Sequence, residues 1–114
     1  MITIWHNPRC SKSRQTLALI EATGAAVTVR RYLDDAPTAA EIEAVHAALG
    51  TPPLIEMMRS GDKAFKDLGL GKDSSDSELL SAMAAQPALI ERPIVIKGDQ
   101  AVIGRPPENV KTLL

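Results

Sequence analysis

The chain has 114 residues, a formal net charge of −1, 45% hydrophobic and 24% charged residues, and one cysteine. That length suits a single domain over 1–114 with its own buried core, and the charge balance shows no basic excess to suggest nucleic acid as a partner. A lone cysteine rules out an internal disulfide framework; with no signal-peptide pattern and no apolar run of membrane-spanning length, the expected setting is reducing and cytoplasmic, with no membrane partner.

Ile2-Thr3-Ile4-Trp5 is a short β-rich run stopped by Asn7-Pro8, a strand ending in a turn. Ser11 to Thr23 suits a helix, with Leu17, Ile20 and Gly24 spaced to share one face and Gly24 supplying the stop. Val27 to Leu33 alternates and is β-branched, so it reads as a second strand. Together these make a βαβ unit with parallel strands.

The middle of the chain reads as helical. Thr38-Ala-Ala-Glu41 is a capping-box pattern opening a helix to about Gly50, and Thr51-Pro52-Pro53 opens a shorter one. Gly61 to Asp73 is a polar, glycine-punctuated connection. Ser75-Asp-Ser-Glu78 repeats the capping box ahead of Leu79, Leu80 and Met83. The chain returns to β at Pro93 to Ile96, turns at Lys97-Gly-Asp-Gln100, and continues through Ala101 to Ile103, a hairpin signal. Pro106-Pro107 opens a last helix to Leu114. The order βαβ, helices, ββα predicts an α/β domain with a mixed four-stranded sheet.

Cys10 lies in "HNPRCSKSRQT", residues His6 to Thr16, among cationic and hydrogen-bonding groups rather than in an apolar run. A thiol becomes a nucleophile when ionised, and helix N-termini and nearby cations favour the thiolate. Cys10 stands where a loop enters a helix, so free backbone N–H groups should point at its sulfur. Ser13 offers a hydroxyl, and His6, Arg9 and Arg14 raise the local positive potential. The same arrangement attracts an oxyanion. The competing reading is a small apolar filler beside a turn.

Other chemistries fail on spacing. Tyrosine-phosphatase-type loops set their arginine further from the cysteine than Arg14 stands from Cys10. A Cys-x-x-Cys pair needs a cysteine where Ser13 stands, and zinc needs more ligands than one Cys with His6 and His46. No metal is expected. Arg92 and Arg105 flank the two strands of the hairpin, which brings them to one spatial end, and converging guanidinium forks suit a tetrahedral oxyanion. Arg59 follows the apolar segment Leu54 to Met58. His46 is expected at the surface or in packing, Met57, Met58 and Met83 in the core, and Trp5 in packing rather than as a substrate platform.

The pieces "HNPRCSKSRQTL", "MMRSGDKAFKDLGL", "LIERPIVI" and "VIGRPPE" together resemble the glutaredoxin-linked arsenate reductase family (ArsC type), across essentially the whole chain. The resemblance implies a thioredoxin-like fold with a helical insertion before the final β-hairpin. It implies Cys10 as the nucleophile, Arg59, Arg92 and Arg105 as the groups holding arsenate, His6 and Ser13 as supports of the thiolate, Arg14 as a neighbouring loop arginine, and Pro93 as a cis-proline. Arg9, Ser11 and Lys12 stand where some members carry smaller or less charged residues. It also implies glutathione as co-substrate, glutaredoxin as partner, no bound cofactor and a monomer. Two other readings use the same fold: a glutathione-dependent thiol oxidoreductase without an arsenate role, and a Spx-like RNA-polymerase-binding regulator, whose redox-sensing members need a Cys-x-x-Cys.

Overall fold

Three β-rich stretches separated by helical segments, the last of them a hairpin, make up the computed structural model, which describes Met1–Leu114. The chain runs β1 (Ile2–Trp5), α1 (Ser11–Ala22), β2 (Val27–Arg30), α2 (Ala39–Ala48), α3 (Lys63–Asp67), α4 (Asp76–Ala85), β3 (Ile94–Lys97) and β4 (Gln100–Ile103). Short 3₁₀ helices cover Leu54–Met57, Pro87–Leu89 and Pro107–Leu113. The strands lie in the order β2-β1-β3-β4. β1 is parallel to β2, and the β1–β3 and β3–β4 pairs are antiparallel. The α1 crossover makes the parallel pair, because parallel neighbours need a long connection. This is the mixed four-stranded sheet expected, with the helical segment inserted between β2 and β3.

Strand alternation builds two apolar layers. Ile2, Ile4 and Val95 pack with Ile20 of α1 and with Val110 and Leu113 of the C-terminal 3₁₀ helix. Trp5 and Ile94 point the other way, into a larger cluster with Ile42, Met57, Met58 and Met83. Fully burying each of these large side chains stabilises the fold by about 1.5–3 kcal/mol. Both capping boxes form, Thr38 with Glu41 and Ser75 with Glu78. Such caps contribute about 1 kcal/mol each. His46 is half-buried, its ring hydrogen-bonded to the Pro52 carbonyl, and Trp5 is core, with the Arg30 guanidinium 5.8 Å from its ring centre.

Three elements differ from their sequence reading. The second strand ends at Arg30, not Leu33. Arg30 ion-pairs with Glu41 and Asp35, and both Asp34 and Asp35 donate backbone N–H groups to the Arg31 carbonyl at 2.9 Å. The chain therefore turns, and Tyr32 is carried fully into the core. The Gly61–Asp73 connection contains α3, nucleated by the Asp62 carboxylate accepting the Lys63 N–H and by burial of Phe65. The last helix is 3₁₀ throughout. Gly98 takes φ +62° at the first position of the hairpin turn, where a residue tolerant of positive φ is required.

Candidate active site

The loop after β1 is built by one hydrogen bond to the end of β2 and by short-range bonds of its own. His6 N–H donates to the Arg30 carbonyl at 2.8 Å, and the Asn7 carbonyl accepts from Cys10 N–H at 3.0 Å. The Asn7 side chain accepts from Arg9 N–H at 3.0 Å. These contacts leave Cys10 extended, at φ −94° and ψ 123°, as the N-cap of α1. The thiol is half-exposed. Burial raises its pKa, but the Ser13 backbone N–H, the Arg92 guanidinium and the Lys12 backbone N–H together outweigh burial and hold it below the ordinary thiol value. No side-chain hydrogen bond closes this cap. The amides at the start of α1 therefore act on the sulfur through the Ser13 and Lys12 N–H groups, aided by the aligned helix dipoles.

The hairpin brings the arginines. Arg92 precedes β3 and Arg105 follows β4, and the Arg105 Nε donates to the Arg92 carbonyl at 2.7 Å. Arg105 Nη2 lies 3.6 Å from Cys10 Sγ. The Arg92–Pro93 peptide bond is cis, the isomer the resemblance implies, and so is Arg105–Pro106. Arg59 arrives by a separate route. An isolated antiparallel bridge joins Met58 to Ile90, with Arg59 N–H donating to the Leu89 carbonyl at 2.7 Å and Glu91 N–H to the Met57 carbonyl at 2.8 Å. That bridge sets Arg59 beside the segment that carries Arg92. All three arginines thus converge on the side of the molecule where Cys10 lies.

The loop residues divide differently from their sequence reading. His6 is buried, and burial first, then the charges of Arg31 and Arg14, lowers its pKa. Its protonated form is disfavoured, so it contributes less positive potential than its sequence neighbours suggest. Its Nδ1 lies 2.6 Å from Ser13 Oγ, which also accepts from Asn7 N–H at 3.1 Å. Ser13 therefore supports the sulfur through its backbone N–H, while its hydroxyl ties the loop to the helix. Arg14 Nη1 donates to the Pro8 carbonyl at 2.9 Å, so it braces the loop. Arg9 is exposed.

Two site groups were not singled out from the sequence. Tyr32 is fully buried, yet its hydroxyl and Arg92 Nε are the two buried side-chain polar atoms with no hydrogen-bond partner. Desolvation raises the Tyr32 pKa, opposed by the charge of Arg92, a marginal hydrogen-bonding approach of the Arg92 guanidinium, and the charge of Arg59. The hydroxyl thus sits close to the Arg92 guanidinium without a well-formed hydrogen bond to it. Glu91, next to Arg92, pairs with Arg105 at 3.1 Å and with Arg59 at 3.8 Å. The available signals were the chain's single tyrosine at the end of an alternating run and an acid directly preceding Arg-Pro.

No cluster of three or more His, Cys, Asp or Glu side chains could hold a metal ion. The chemistry on offer is a depressed thiol at a helix start, ringed by guanidinium groups. Such a cysteine at the first helix of a thioredoxin-like sheet defines a class of thiol proteins. A family model described as "ArsC family" matches residues 5–113. An arsenate reductase of Haemophilus influenzae is 46% identical over 114 residues, covering 99% of this chain and 98% of its own. An arsenate reductase of Escherichia coli is 36% identical, covering 99% of this chain and 80% of its own. The solved structure of an arsenate reductase from Vibrio cholerae superposes with a TM-score of 0.95 at 46% identity, covering 99% of this chain and 97% of its own. The chain belongs to the ArsC family.

Proposed function

We propose that this protein is an arsenate reductase that uses Cys10 as its nucleophile, with glutathione and glutaredoxin as the reducing partners. The observation that carries the reading is Arg105 Nη2 at 3.6 Å from Cys10 Sγ, with Arg92 also lowering the thiol's pKa. One cluster of groups both ionises the nucleophile and attracts the tetrahedral anion it attacks. The relatives named above as arsenate reductases supply the anion's identity.

The Cys10 thiolate attacks arsenic and an As–O bond breaks, releasing water after protonation and leaving an arsenic(V) thioester-like adduct. Arg59, Arg92 and Arg105 balance its charge. Glutathione thiolate then attacks Cys10 Sγ. The S–As electron pair stays on arsenic, arsenite leaves as arsenic(III), and a Cys10–glutathione disulfide remains. Glutaredoxin, with a further glutathione, returns Cys10 to the thiol. Ser13, His6 and Arg14 keep the loop in register with α1. The protein is read as a monomer, and use of glutathione as reductant favours a reducing, cytoplasmic setting. No helix is long and apolar enough to cross a membrane.

The test is arsenate-dependent NADPH oxidation with glutathione, glutaredoxin and glutathione reductase. Activity should vanish in Cys10→Ser and fall in Arg59→Ala, Arg92→Ala and Arg105→Ala. Sustained turnover with thioredoxin alone and no glutathione would refute the cycle.

A further inference from the structure

The arginine cluster is not empty. Glu91 Oε1 sits 3.1 Å from Arg105 Nε and 3.8 Å from Arg59 Nη1, and it accepts the backbone N–H of Arg92 at 3.2 Å. One carboxylate oxygen thus accepts the Arg92 backbone N–H, pairs closely with Arg105 and lies within looser ion-pair distance of Arg59. Arg59 also pairs with Asp62 at 3.2 Å. Only the Arg92 guanidinium has no ion pair, and its charge is directed at the Cys10 sulfur.

We propose that Glu91 is the resident counter-ion of the cluster: an entering oxyanion must displace its carboxylate from Arg59 and Arg105, so this side chain limits how tightly the site holds its anion. The proposal rests on the oxyanion-binding reading of the arginines given above.

The geometry suits a displaceable occupant rather than a structural one. The backbone of Glu91 is fixed by its N–H bond to the Met57 carbonyl at 2.8 Å, so exchange needs a side-chain rotation and release of the Arg92 N–H, with no backbone movement. The side chain remains 23% exposed. It borders an open cavity of about 470 Å³, lined also by Glu56, Arg105, Asn109 and Thr112, which gives the swung carboxylate somewhere to go. Guanidinium forks accept a carboxylate and an arsenate oxygen in the same way. Two anions on the same donors repel, so binding of one requires departure of the other. When Glu91 leaves, Arg105 stays anchored through Nε to the Arg92 carbonyl, so the cluster keeps its shape for the incoming ligand.

The experiment measures arsenate binding by calorimetry on the Cys10→Ser protein, where no adduct forms, with and without Glu91→Gln. The amide keeps the shape and removes the competing charge, and a thermal melt verifies folding. Arsenate affinity should rise at least about tenfold, equivalent to about 1.4 kcal/mol. Glu91→Asn, one carbon shorter, should give a rise in the same direction. Arg59→Ala and Arg105→Ala in the same background should each weaken binding. If both arginine variants weaken binding but neither Glu91 variant tightens it, the counter-ion role is overturned and the oxyanion site stands. If Glu91→Gln weakens binding, Glu91 is instead a positioning residue for the arginines, which also overturns it. If the arginine variants leave binding unchanged, the oxyanion reading falls and takes the proposal with it.

Discussion

Gly104 joins the hairpin to α1, and adding one methyl group there should be costly. A Cβ at Gly104 would lie 2.6 Å from Thr16 Oγ1, 2.8 Å from Pro93 Cγ and 3.0 Å from Thr16 Cγ2. Neither wall can yield easily. Thr16 is fully buried, and its hydroxyl donates to the Lys12 carbonyl at 2.8 Å and reaches the Gly104 carbonyl at 3.4 Å. Pro93 is buried, and its carbonyl accepts the Gly104 N–H at 2.9 Å. Overpacking of this kind costs about 1–3 kcal/mol, and with both walls fixed Gly104→Ala should fall in the upper half of that range. Urea unfolding should show a lower midpoint at unchanged slope, and the melting temperature should drop by about 4–8 °C per kcal/mol. Thr16→Ala removes two of the three clashing atoms. The double variant should therefore lose less than the sum of the singles, with a coupling of about 1 kcal/mol. Arg105 follows Gly104 directly, so arsenate turnover should fall along with stability. A Gly104→Ala protein within about 0.5 kcal/mol of its parent, additive with Thr16→Ala, would refute this account of how the hairpin meets the helix.

Alkylation of Cys10 followed against pH should inflect below the free-thiol value of about 8.5, and Arg92→Ala should move the inflection upward; an inflection at or above that value in the parent would count against thiolate activation. Tyr32→Phe should leave the denaturation midpoint unchanged or slightly raised, since the lost hydroxyl has no partner and removing an unsatisfied buried polar group carries no penalty. A clear destabilisation would mean that the hydroxyl is satisfied in solution. Glu41 is held down to about 2, first by the Arg30 guanidinium and then by the Thr38 backbone N–H. Because its folded pKa is depressed, its contribution is complete above the unfolded value of 4.5 and is lost as pH falls towards 2. Glu41→Gln should flatten that part of the stability-against-pH curve. The contribution is small and salt-sensitive, because the carboxylate is partly exposed to solvent.

The sequence carries local instructions well and long-range ones only where a pattern forces them. Both capping boxes were legible because the interaction is complete within four residues. The parallel β1–β2 pair followed from connection length and the antiparallel β3–β4 pair from the Gly98-Asp99 turn, whereas the β1–β3 pairing had no local sequence signal. The hairpin also made the meeting of Arg92 and Arg105 legible, since its two outer ends must coincide. Tyr32 was misplaced because Val27 to Leu33 alternates like a strand, whereas the turn after Arg30 depends on ion pairs to Asp35 and Glu41 that lie beyond the run. The positive potential of His6 was overread for a related reason: an imidazole beside two arginines looks cationic until burial is known. Glu91 is harder to read, because an acid directly preceding Arg-Pro is only a weak local signal and its role depends on Arg59 arriving across the Met58–Ile90 bridge.

Cys10 is the chain's one thiol, so once it is oxidised or capped no second cysteine can resolve it by an internal disulfide. Regeneration must come from an external thiol, and that requires an approachable sulfur. The same sulfur must also be kept anionic, which burial opposes. The structure meets both demands by placing Cys10 at the rim, half-exposed, and drawing its stabilisation from fixed neighbours: the Ser13 and Lys12 amides behind it and Arg92 and Arg105 in front. Those neighbours keep their geometry because Thr16, Gly104 and Pro93 pack the helix directly onto the hairpin end. The carboxylates of Glu91 and Asp62 hold Arg59 and Arg105 in the meantime, so a cluster of like charges can persist without ligand. Activation of the thiol and capture of the anion therefore depend on one packing contact, and damage to it should impair both together.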